Sequence, residues 1–150
     1  MRDAWAAKKD SKTFIPKILT AQLKNADTLY SYGARKILFV TSPRLSRSPI
    51  FVKDPRAYEL MEFYRDYSKA LQEGVKKWAP GKEGAKVEVF DYFDFFVGLW
   101  DKAEDKLCTS EKGDKCLWWG PSPFHVSKYV HQAMAKELVK GQGVMEKLGW

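Results

Sequence analysis

The residues of this chain best suited to chemistry lie in one stretch, Cys116-Leu117-Trp118-Trp119-Gly120-Pro121-Ser122-Pro123-Phe124-His125-Val126-Ser127-Lys128-Tyr129-Val130-His131. A histidine on a loop at a helix start reaches solvent while being held firmly, which suits a general base. His125 is placed that way: Ser127 and the run Val130, Ala133, Met134, Glu137, Leu138 behind it have helical spacing. The competing reading is a loop histidine without chemistry, since loops are where side chains vary most. Ser122, between two prolines, can hydrogen-bond the imidazole but cannot stabilise an imidazolium as a carboxylate does. Ser127 is expected to cap the helix rather than react. Trp118, Trp119 and Phe124 can wall a sugar-binding groove or pack a core.

The elements that must position these residues follow a regular order. Phe14 to about Tyr32 carries Ile15, Ile18, Leu19, Leu23, Ala26 and Tyr30 on one side, which predicts an amphipathic helix capped by Gly33. Lys36-Ile37-Leu38-Phe39-Val40-Thr41 reads as a buried strand. The loop Ser42 to Pro49 is rich in breakers. From Pro55 to Trp78 the spacing of Tyr58, Met61, Tyr64, Ser68, Leu71 and Val75 predicts a helix, with Asp54 and Pro55 as cap and first-turn pair. After a Pro80-Gly81 turn, Ala85 to Asp91 alternates as a second strand and Tyr92 to Trp100 forms a short aromatic helix. Asp91 and Asp94, at the end of that strand, are candidates to approach His125, because α/β sites gather at strand ends; Asp94 serves equally to start the helix. Helix, strand, helix, strand, helix calls for a parallel sheet with crossovers, yet parallel sheets normally have more than two strands.

Bulk properties exclude several classes. The chain has 150 residues, 45% of them hydrophobic and 15% aromatic, enough to fill the core of a single domain. No apolar run approaches the roughly 18 residues of a membrane span, so no membrane partner is expected. The first ten residues, Met1 to Asp10, lack the apolar stretch of a signal peptide, which places the chain in the cytoplasm if it is complete as written. The net charge of +7 is spread out; its densest points are Lys8-Lys9, Lys76-Lys77 and Arg44-x-x-Arg47, with acidic residues interspersed. No zinc spacing or RNA-binding signature accompanies it, so no nucleic-acid partner is expected and a basic nucleic-acid-binding module is kept only as an alternative. With two histidines and no Cys-x-x-Cys pair, neither metal nor cofactor is expected. Cys108 and Cys116 flank a polar loop whose ends meet easily; a disulfide, stabilising by about 2–3 kcal/mol, and two free thiols are both open on the residues alone.

The run His125-Val126-Ser127-x-x-x-His131, preceded by aromatics and a cysteine, resembles the last block of secreted fungal GDSL/SGNH-type esterases, lipase-like acyl hydrolases that include carbohydrate acetylesterases. In that family the block reads Trp-Asp-x-x-His-Pro-Thr ahead of a helix. The resemblance makes His125 the catalytic base; Ser122 stands where the family has its catalytic Asp, and Val126-Ser127 replaces Pro-Thr. Gly33-Ala34-Arg35 followed by the first strand and the Pro-containing loop, and Val87-Glu88-Val89-Phe90-Asp91 ahead of an aromatic helix, resemble earlier parts of the same family, so the similarity runs from about residue 14 to 140.

That resemblance implies a three-layer α/β/α sandwich, a Cys108–Cys116 disulfide, an extracellular setting, and an ester or acylated carbohydrate as substrate. It also marks what is missing. The family's Gly-Asp-Ser nucleophile block and Gly-x-Asn-Asp oxyanion block do not occur, and the single asparagine, Asn25, lies in the first helix. Acyl transfer needs an activated serine and donors aimed at the developing oxyanion. The expectation is a single domain that is the C-terminal part of such an esterase, a partial sandwich lacking its N-terminal strands and inactive alone. The alternative is a non-catalytic binding protein derived from that fold.

Overall fold

The computed structural model describes residues 11–110, 115–140 and 143–149, apart from the side chains of Pro123 and Phe124. Helix α1, Ser11–Ser31, buries Ile15 and Ala26, with Leu19, Leu23 and Tyr30 packed beside them. It stops as expected at Gly33, whose φ of +96° suits a residue without Cβ. Gly33 N donates to Tyr30 O and Ala34 N to Leu29 O, the paired bonds that satisfy the last carbonyls of a helix.

The chain then enters β1, Lys36–Val40, and returns through α2, Ala57–Trp78, to β2, Lys86–Phe90. The two strands pair in parallel, Lys36 opposite Lys86 through Val40 opposite Phe90. Alternation on β1 sends Ile37 and Phe39 to one face and Leu38 to the other. On the first face α1 and α2 complete a core with Tyr67, Leu71 and Val75. On the second, Phe90 joins α3, Tyr92–Lys102, and Leu117, Trp118 and Val130 from the C-terminal third. The result is a partial three-layer α/β sandwich. Helices α1 and α2 approach closely at Gly74, where a Cβ would lie 2.8 Å from the Leu19 methyls. No helix among the described residues is long and apolar enough to cross a membrane.

Helix α2 begins two residues later than the spacing predicts. Asp54 accepts from Arg56 N and pairs with the Arg56 guanidinium, each at 2.9 Å, closing a local turn ahead of Ala57. These Arg56 bonds hold the Asp54 pKa down at about 2.

Between α1 and the loop after α2, Asp27 accepts from Lys82 Nζ at 2.5 Å and from Trp78 Nε1 at 2.9 Å, while Trp78 stands edge-on to Phe39. The Lys82 bond first, and the Trp78 bond second, lower the Asp27 pKa. A carboxylate held below its unfolded value adds stability above the unfolded pKa and loses it as pH falls through the folded one. Thermal melts from roughly pH 5 to pH 2 are therefore expected to show a shallower acid loss in Asp27→Asn than in the parent chain. Identical acid limbs would mean that the bond contributes nothing.

Candidate active site around His125

After α3 the chain builds a second, smaller sheet: β3 Thr109–Ser110, β4 Trp118–Trp119 and β5 Ser122–Val126, in the order β3-β4-β5. Cys108 and Cys116 are joined by a disulfide just outside β3 and β4. Alternation on β4 buries Trp118 completely and leaves Trp119 42% exposed, which divides the tryptophans between core and surface. Trp118 is core; Trp119 lies beside the imidazole, the rings edge to face at 6.4 Å. The Phe124 side chain lies outside what the structure describes.

His125 sits in a strand, not in the loop its Pro-rich neighbours suggest. Trp119 pairs with Ser122 and Trp118 with Val126, so one step on β4 faces four on β5, and residues 123–125 bulge out. On a regular strand, residues three apart point to opposite faces. The bulge re-aims them and brings Ser122 Oγ to 2.7 Å from His125 Nδ1. His125 is exposed at the surface and Ser122 half-buried. Behind them Ser127 is fully buried and caps α4, Lys128–Val139, accepting from Val130 N at 3.4 Å; its hydroxyl also donates to Cys116 O. The cap expected of Ser127 therefore also ties the helix to the disulfide-bearing segment.

Asp91 and Asp94 do not join this cluster. Asp91 Oδ1 accepts from Asp94 N and Thr41 Oγ1, both at 3.1 Å, and Oδ2 accepts from Gln72 Nε2 at 2.5 Å. The carboxylate caps α3 and clasps the ends of β1 and β2. Thr41, which the spacing left as a mere strand end, is buried and also accepts from Phe93 N at 3.1 Å. A polar residue directly after an apolar strand was its only signal. Nearby, an open groove of about 350 Å³ is lined by Ile18, Gln22, Val40, Thr41, Ser42, Phe63, Tyr64 and Tyr67. Burial raises the Tyr64 pKa; burial also raises that of Tyr67, partly offset by its bond to Gln22. The groove does not include His125. Among the described residues no group of three or more His, Cys, Asp and Glu side chains is arranged to hold a metal.

A strand-borne histidine with a hydroxyl on Nδ1, ahead of a Ser-capped helix, sits inside a sequence match. The model of GDSL-like lipases/acylhydrolases matches residues 5–138. The chain belongs to the GDSL-like lipase/acylhydrolase family. The match spans both sheets and most of α4, so the GDSL assignment covers the sandwich and the His125 segment alike. No curated protein matches this GDSL chain.

Proposed function

We propose that this chain carries the base-bearing part of an ester hydrolase site, with His125 as proton acceptor. The supporting observation is the 2.7 Å contact between Ser122 Oγ and His125 Nδ1. Nδ1 is the nitrogen that a carboxylate orients in Ser-His-Asp triads, which assigns proton transfer to Nε2. Ser122 orients the ring in place of the carboxylate without supplying its charge. On this reading the attacking serine and the oxyanion donors come from outside these 150 residues, and the chain alone does not turn over esters. The exposed Trp119 ring beside His125 favours an acylated carbohydrate as substrate, since aromatic faces stack on sugars. The disulfide favours an oxidising, extracellular setting.

A second reading, a non-catalytic binding protein derived from the same fold, is favoured by Ser122 at the position of the family's Asp. The test is p-nitrophenyl acetate hydrolysis by the purified chain and its His125→Ala variant, beside a circular dichroism melt. A cooperative melt with equal, background rates in both proteins is expected. Turnover that His125→Ala abolishes would place a nucleophile within these 150 residues and overturn the inactive reading.

A further inference from the structure

The loop leaving β1 holds buried polar atoms that have no hydrogen-bond partner among the described residues. Leu45–Arg47 forms a 3-10 turn with Arg44 before it and Ser48 after it. Arg44 and Arg47 stand at the two ends of this turn, near enough for the Arg47 charge to act on the Arg44 guanidinium. Both are half-buried. Among the described residues neither guanidinium has a carboxylate within salt-bridge distance. Arg44 Nη2 lies against Met61 Sδ, a weak acceptor for a cation, and Arg44 Nε is buried with no partner among the described residues. Arg44 also approaches the Phe93 ring at 5.8 Å, and Arg47 stacks on Trp100 at 4.8 Å. Lys106 Nζ is 6.0 Å from the same Trp100 ring.

The serines sharpen the picture. Ser46 is 4% exposed and Ser48 fully buried, yet among the described residues neither hydroxyl has a hydrogen-bond partner. Buried polar groups without partners are uncommon and call for an explanation. Burial first, and the Arg47 charge second, push the Arg44 pKa down, while Asp101 opposes them. One tight turn thus gathers two cations and two orphaned O–H donors.

We infer that the Arg44–Ser48 turn is a binding site for a compact oxyanion, a phosphate, sulfate or carboxylate group. Such an anion accepts from the guanidinium N–H and serine O–H groups at once and offsets the repulsion between the arginines. The turn follows directly from the C-terminal end of β1, the side on which open α/β sheets bind ligands. The inference is independent of the role assigned to His125.

Calorimetric titration and thermal melts of the 150-residue chain test it. The probes are inorganic phosphate, sulfate and acetate, each at constant ionic strength against chloride. Saturable binding of at least one anion and a matching rise in Tm are expected, with phosphate and sulfate separating from acetate if the site is built for a tetrahedral group. Arg47→Gln is expected to weaken that anion about tenfold or more, Ser48→Ala to weaken it less, and Arg65→Gln, on the exposed face of α2, to leave it unchanged. If Arg47→Gln does not fold, Ser48→Ala and the chloride comparison decide. No saturable effect from any of the three anions, or equal affinity in the turn variants and the parent, would overturn the site.

Discussion

Trp118→Ala is expected to lower the free energy of unfolding by about 3–5 kcal/mol, read as a shift of the urea midpoint at unchanged slope. Trp118 is fully buried; its ring lies 5.3 Å from Phe96 and its Nε1 donates to Lys106 O at 3.1 Å. Truncation removes the ring contacts, takes that donor from the Lys106 carbonyl, and opens a cavity under the strand pair that carries His125. Trp119→Ala, one residue on and facing outward, is expected to change stability by no more than roughly 0.5 kcal/mol. Equal shifts in the two variants would show that the alternation of β4 is not what secures this region.

Reduction of the Cys108–Cys116 disulfide is expected to cost about 2–3 kcal/mol in the chain-entropy picture. The loss should extend beyond the small loop. Cys116 O accepts from Ser127 Oγ, Ser127 N donates to Leu117 O at 2.9 Å, and Ser127 caps α4. Freeing Cys116 therefore loosens the helix start as well as the loop. Urea unfolding with and without dithiothreitol, beside a Cys108→Ser/Cys116→Ser double variant, measures it. Midpoints that coincide across all three would mean that the disulfide contributes nothing to the folded state.

Much of the architecture is legible in the chain itself, because it rests on local periodicity. The apolar spacing of α1 and the glycine at its end require only residues within a turn or two of each other, and Gly33 ends the helix as its type demands. The same holds for β1, β2 and α3, whose bounds agree with the hydrophobic pattern to within a residue or two. The start of α2 is less legible: Asp54 bonds the N–H two residues on and delays the helix, a contest between two local conformations that spacing does not rank. The second sheet is not legible. Strands of two residues, Thr109–Ser110 and Trp118–Trp119, carry no measurable period, and only their partners define them.

The candidate site divides along the same line. Residue types alone make His125 a candidate base and Ser127 a cap, and the cap is observed; the resemblance, not the spacing, chose the base over a loop histidine without chemistry. Residue types also determine that no Gly-Asp-Ser or Gly-x-Asn-Asp block is present, and hence that His125 has no serine of that kind within these 150 residues. Which groups meet was decided by the tertiary structure. Asp91, a strand-end carboxylate that could have faced the histidine, turns instead to Thr41 and Gln72 from two other elements. The 2.7 Å approach of Ser122 to His125 depends on a bulge that exists only because β5 pairs with β4. Composition and spacing fix the type of each group and its neighbours along the chain. Register and packing, which join residues far apart in sequence, determine the direction in which each group points.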